Sequence, residues 1–194
     1  MRIARIIYEW PPPWQGLAPA PYEMTKAQIK LGHEFDIFCA NWPNAGDPAV
    51  LENVRLHTVW REPLQGTVSL TSSVAAFFQY LKWRKFSEVD LIHTHGHFAV
   101  WIYLYRRILQ KYFPWVKDLG IPLVVHFHNT VKGRRLKLEE RKMDIKNISK
   151  YISWPLAEMS DRLAIKTAAA YIFVSEDLKE EAIKYYGANP QKCF

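Results

Sequence analysis

Two cysteines in 194 residues, Cys39 and Cys193, are too few for a disulfide framework. No C-x-x-C pair or cysteine–histidine finger spacing accompanies them, which favours a reducing, intracellular setting. Met1 leads directly into the strand-like RIARIIY, with no secretory leader and no cleavage site. The apolar runs all stop well short of the roughly 20 residues a membrane span needs, so a soluble chain is expected. A full G-x-G-x-x-G fingerprint is missing, as are internal repeats and low-complexity linkers.

What remains is an ordinary globular balance, 49% hydrophobic and 23% charged. It is long enough to bury a core as one domain over residues 1–194. The net charge of +7 and a pI of about 9.4 need a cause. Much of the excess sits in VKGRRLKLEERKMDIKNISK, with smaller clusters at KWRK and YRRILQK. Such a balance suits nucleic acid, anionic lipid or phosphorylated substrates, and also plain solvated helix faces. The long run is too mixed in sign for a nucleic-acid arm. It reads instead as a mobile loop and exposed helix placed to cover a crevice, and no nucleic-acid partner is expected. Aromatics reach 14%, with eight tryptophans, several beside the basic clusters.

Strand-like runs recur at Ile3–Tyr8, Phe35–Ala40, Arg55–Val59, Leu91–Thr94, Pro122–Phe127 and Tyr171–Val174. Most are separated by segments of helical spacing. The first, PYEMTKAQIKLGHE, gathers Tyr22, Met24, Ala27, Ile29 and Leu31 on a broad apolar face, with Gly32 as its stop. The last, SEDLKEEAIKYYG, has Ser175 as N-cap, acids in its first turn and Gly187 at its end. Alternating strands and helices predict an α/β, Rossmann-like, doubly wound and mostly parallel sheet.

In such sheets ligands bind beyond the carboxyl ends of the strands, and the unusual residues all fall there. EWPPPWQG follows the first strand, HTHGH the fourth and HFHNT the fifth. Along a strand side chains alternate, so His126 and His128 share a face with Phe127 opposed. Gly16 permits close backbone approach to a ligand beside a helix N-terminus. His93, His95 and His97 suit either a metal, as in a metal-dependent hydrolase, or sugar and phosphate oxygens. Against a metal, Gly96 should break the strand and no acidic motif completes the ligand set. His128 and Asn129, just past the buried fifth strand, read as functional, and His126 as packing or support.

The opening MRIARIIYEWPPPWQGLAPAPYEMTKAQIKLGHEFDIFCA, then VDLIHTHG, IPLVVHFHNT and AAAYIFVSEDLKEEAIKYYGANPQKCF, stand in this order along the chain. Together they resemble the N-terminal half of retaining glycosyltransferases of family 4. The family's signatures at these places are E-[FY]-P-P, D-[VL]-[IV]-H-x-H and P-[VLI]-V-x-T-x-H. The resemblance implies a GT-B enzyme, in which a C-terminal domain holds a nucleotide-sugar and an N-terminal domain holds the acceptor. His128 then matches the histidine brought to the transferred sugar. Gly16 matches a loop glycine near the donor phosphates, with Gln15 where the family commonly has a second glycine. His95 matches the acceptor-side histidine, and His97 and Asn129 join the binding set.

It further implies transfer to a sugar or lipid-linked acceptor, with no metal and no cofactor beyond the nucleotide-sugar substrate. The family continues past Phe194 into a P-N-G turn and paired glutamates. This chain is therefore expected to be half an enzyme, truncated or one subunit of a split one, and inactive without its C-terminal domain. A cytoplasmic setting is expected. Trp83, Arg84, Lys85 and Phe86 suit contact with an anionic inner membrane face, with solvated charge over buried aromatics the slightly favoured alternative. The rivals from other classes are the metal-dependent hydrolase and a non-catalytic polyanion- or nucleotide-binding module.

Overall fold

A computed structural model describes residues 1–41, 44–60, 71–85, 87–133 and 148–194. Six strands form where the apolar runs lie: β1 (Arg2–Glu9), β2 (Glu34–Asn41), β3 (Val54–Trp60), β4 (Leu91–His95), β5 (Leu123–Phe127) and β6 (Ala170–Phe173). They make one sheet in the order β3-β2-β1-β4-β5-β6, every neighbouring pair parallel. The order reverses between β1 and β4, which opens a crevice beyond their carboxyl ends. The expected Rossmann-like α/β architecture is thus present, and the described strands are all parallel rather than mostly so.

Among the described residues five α-helices flank the sheet: α1 (Pro19–Ile29), α2 (Thr71–Arg84), α3 (Ala99–Tyr112), α4 (Ile148–Thr167) and α5 (Glu176–Tyr186). The larger core joins α2, α3, α4 and α5 to one face of the sheet, around Ile6, Phe38, Ile92, Val125 and Phe127. On the opposite face Ile3, Ile7, Phe35 and Ile37 pack under Tyr22 and Ile29 of α1 and Leu51. The two faces differ because alternate residues of β1 serve each. Ala4 and Ile6 enter one core, Ile3 and Ile7 the other, and Arg5 stands between the latter two.

That arginine overturns the apolar face expected of α1. The buried positions of the helix are Pro21 and Thr25, while Ala27 and Leu31 are exposed. A buried guanidinium needs oxygen acceptors, so the helix turns its Thr25 and Gln28 inward. The stop is as expected, with Gly32 at φ 79°. In α5 the Ser175 hydroxyl accepts from the Leu178 N–H at 3.3 Å and Gly187 closes the helix at φ 69°, both as read from sequence. Helix α4 begins upstream of the expected WPLAEM segment, with Pro155 inside it. The basic segment expected to cover the crevice falls, at 134–147, outside the described residues.

At the amino ends of the strands Asp36, fully buried, gathers Arg2, Arg55 and His57 at 3.1, 2.8 and 2.9 Å. Burial alone would raise its pKa, but hydrogen bonds from His57, Arg55 and Arg2 outweigh this and leave it lowered. Trp83 closes this end from above, its ring 5.4 Å from Phe38 and 5.2 Å from the Arg2 guanidinium. Arg84 is spent on Asp118 at 2.8 Å. Of the two readings of this segment, the packing agrees with solvated charge over buried aromatics: Trp83 and Arg84 face inward, because Asp118 needs a cation and Phe38 a cover, while Lys85 is exposed. Phe86 lies outside the described residues.

Candidate functional site

Strand pairing sets the site. Arg5 of β1 lies opposite His93 of β4, and His95 opposite His126 of β5. Alternation puts all four on the α1 face, and His128 continues the row two residues past His126. The imidazoles of His126 and His128 stack with centroids 4.4 Å apart. His95 lies 4.6 Å from His128 and 5.3 Å from His126, and His93 5.8 Å from His126. His93, His95 and His126 are buried and His128 is half-buried. Nε2 of His93, His95 and His128 and Nδ1 of His126 make no hydrogen bond. Buried ring nitrogens rarely stay unsatisfied, so these atoms call for a partner, water or ligand, that can donate or accept.

Arg5 fixes the inner end of this row. Its Nε–H donates to His93 Nδ1 at 2.9 Å, and its other nitrogens donate to the Pro21 carbonyl, Thr25 and Gln28. The guanidinium also lies 4.6 Å from the Phe35 ring. Every group bonded to it is uncharged, and burial lowers its pKa to about 9. Burial also lowers the four histidines, and the Arg5 charge and mutual repulsion push the buried three further in the same direction. His93 and His95 fall well below 6.5 and His126 to about 4. At neutral pH the row is therefore four uncharged imidazoles.

A metal fits this set poorly. His93, His95 and His126 offer ligand atoms within 4.8 Å of one another. Yet the Arg5 bond takes the Nδ1 lone pair of His93 and so places its proton on Nε2, the nitrogen left open. His93 then has no lone pair for a cation, and the group contains no carboxylate to offset the charge of Arg5. As expected, the strand breaks at Gly96: β4 ends at His95 and Gly96 starts a 3₁₀ turn, so the H-x-H-x-H spacing does not run along one strand.

The turn after β5 holds His128 in place. The N–H groups of Val131, Lys132 and Gly133 donate to Asp161 of α4, Tyr186 of α5 and the Thr130 hydroxyl, at 2.9, 3.0 and 3.1 Å. Thr130 in turn bonds Glu181 of α5. Of three orphan donors at the start of a helical turn, two are thus satisfied from two other helices and the third by the local Thr130 hydroxyl. Asn129, half-buried, sits between this turn and His128. His97 lies in the 3₁₀ turn Gly96–Phe98; its ring is outside the description. Gln15 and Gly16 are exposed in the loop leaving β1. Gly16 has φ 63°, and a Cβ there would come within 3.0 Å of the Glu9 carboxylate, which accepts from the Leu17 N–H at 3.1 Å.

So the structure brings His95 and His128 together, adds His126 and His93 as full members of the row, and puts the Gln15–Gly16 loop at the same end of the sheet. Sequence reasoning passed over Arg5 and Glu9. A lone arginine inside the apolar RIARIIY was the available signal for the first.

The family model described as Glycosyltransferase Family 4 matches residues 14–194. Among solved structures, sucrose-phosphate synthase from Thermosynechococcus elongatus is similar at 16% identity with a TM-score of 0.59. That match covers 100% of this chain and 47% of the other. Phytolacca americana UGT2, complexed with UDP-2fluoro-glucose and pterostilbene, matches at 15% identity and a TM-score of 0.57, covering 98% of this chain and 52% of its own. Medicago truncatula UGT71G1, complexed with UDP-glucose, gives 13% and 0.52, with 97% and 49% covered. The chain therefore spans about half the length of these structures, and the likeness is one of GT-B fold. No curated protein matches the sequence. With a family model that runs over nearly its whole length, this chain belongs to glycosyltransferase family 4.

Proposed function

We propose that the chain is the acceptor-side, N-terminal domain of a retaining glycosyltransferase that moves a hexose from a nucleotide-sugar to an acceptor hydroxyl. In this reading a second Rossmann-like domain holds the donor, and transfer takes place in the cleft between the two. Family membership supports sugar transfer. The UDP-sugars and the pterostilbene bound by similar structures support a nucleotide-sugar donor and a hydroxylic acceptor.

The row of uncharged imidazoles with open ring nitrogens carries the reading. Sugar hydroxyls both donate and accept, and neutral imidazole answers both. As the nucleotide diphosphate leaves, positive charge builds at the anomeric carbon. A protonated histidine would oppose that charge, while a neutral ring or the His128 carbonyl stabilises it. His128 takes this role, and His95, His97 and Asn129 bind the acceptor. The Gln15–Gly16 loop stands toward the donor phosphates. The Arg5 bond that fills His93 Nδ1 favours chemistry without a metal. We place the enzyme in the cytoplasm, a setting that suits its two unpaired thiols. No helix among the described residues is long and apolar enough to cross a membrane.

The test is His128→Ala in the full-length enzyme. Turnover should fall by about 10²-fold or more, while calorimetry shows donor binding retained. Turnover close to that of the unaltered enzyme would remove His128 from the mechanism. The anomeric configuration of the product, read by NMR, tests retention.

A further inference from the structure

We propose that the outer side of α3 is a docking surface for an anionic lipid bilayer, independently of the transferase reading. The helix packs Ala99, Val100, Ile102 and Leu109 inward. Its other side is apolar as well. Leu104, Ile108 and Tyr112 follow one another at four-residue spacing, which stacks them in one row, and all three are exposed, Ile108 by 55% and Tyr112 by 56%. Just past the helix end the exposed rings of Phe113 and Trp115 lie 6.0 Å apart, Trp115 being 76% exposed. Apolar side chains contiguous on an exposed helix side mark a surface that meets another apolar phase, and here the row lies among the exposed polar residues Arg107, Gln110 and Lys111 of the same helix.

Charge selects the occupant. From Phe98 to Lys117 there is no aspartate or glutamate, against four basic residues. One of these, Arg106, turns inward to the Ile121 carbonyl. Arg107 and Lys111, next in sequence to members of the row, are exposed, with the Lys111 ammonium 5.0 Å from the Tyr112 ring, while the exposed Lys117 pairs with Glu88 at 3.9 Å. Protein interfaces are depleted in lysine at their centre. Aliphatic side chains ending in Tyr and Trp and bordered by Lys and Arg are instead the composition of a helix lying in a membrane interface. There the aromatic rings sit at headgroup level and the cations meet lipid phosphates. Unlike Trp83 and Arg84, which face inward, the side chains of this row face outward.

The experiment is flotation of the full-length protein with phosphatidylcholine vesicles, with and without phosphatidylglycerol. Binding should require phosphatidylglycerol and fall with added salt. The double variant Ile108→Glu, Trp115→Glu should lower it about tenfold or more, with an unchanged far-UV circular dichroism spectrum because both side chains are exposed. Arg107→Gln with Lys111→Gln should weaken the phosphatidylglycerol dependence while leaving the apolar row intact. Failure to float with phosphatidylglycerol vesicles, or equal flotation of the Glu variant, would overturn the proposal. So would light scattering that shows the Glu variant splitting a dimer without change in flotation, since the row would then belong to a second copy.

Discussion

Arg5 takes a full positive charge into the interior of β1, and the groups bonded to it are an imidazole, an amide, a hydroxyl and a carbonyl. Its consequence is a fixed tautomer at His93 and a positive field over His95 and His126. Arg5→Met should therefore free the His93 Nδ1 lone pair and raise the titration midpoint of His126 above its value of about 4. Nitrogen-15 spectra of the histidine rings read both effects. An unchanged His93 tautomer in the variant would show that the arginine does not set it. The row itself was half legible in the sequence: alternation alone predicts that His126 and His128 share a face and that HTHGH lies at a strand end. Arg5 was not legible, because period-2 spacing says which face a residue takes and not what covers that face. Its acceptors Thr25 and Gln28 sit in a helix whose sequence also offers Tyr22, Met24 and Ile29 as an apolar stripe.

At the level of elements, end signals were readable and tertiary pins were not. Ser175 and Gly187 act locally, one through its own hydroxyl and the other through its own φ, so their neighbours in sequence reveal them. Ser175→Ala should cost about 1 kcal/mol of stability in chemical denaturation. The turn after β5 is held instead by Asp161, Glu181 and Tyr186, 30 to 54 residues away in sequence for the bonds they make. No pattern near HFHNT announces them. Asp161→Ala strips a buried N–H of its acceptor, which costs about 1–3 kcal/mol. In the full-length enzyme it should also lower turnover, since His128 leads directly into that turn. Asp161→Asn, which keeps an acceptor oxygen, should restore much of both. If the Ala variant lost stability with turnover unchanged, the turn would not position His128.

For the whole molecule the two ends of the sheet respond to acid at different pH. The histidines have folded pKa values below the ordinary 6.5, so the unfolded chain binds more protons and stability falls as pH drops from about 6.5 toward about 4. Each excluded proton contributes a slope of at most about 1.4 kcal/mol per pH unit. Asp36 is lowered from 3.8 by its cationic partners, so its contribution is intact above that value and disappears as pH falls further, through its folded pKa. Denaturation measured as a function of pH should show both descents, and His126→Gln should flatten only the upper one. An upper limb unaltered by that variant would mean the ring is not held neutral. The positions of the six described strands and their parallel pairing could be anticipated because a buried parallel sheet writes near-continuous apolar runs into its strands, whereas their order was not read from the sequence. The sidedness of the helices could not, since it depends on which strand each crossover joins. One consequence of that sidedness concerns water. On the side of the sheet that bears Arg5 and the imidazoles, the guard over the arginine is α1, eleven residues long and held partly by the very polar bonds it shelters. Fraying of this single short helix would admit solvent to the arginine and its neighbours at once. Leakage and charging would then be one event, and the hardiness of the site would be no greater than that of its thinnest wall.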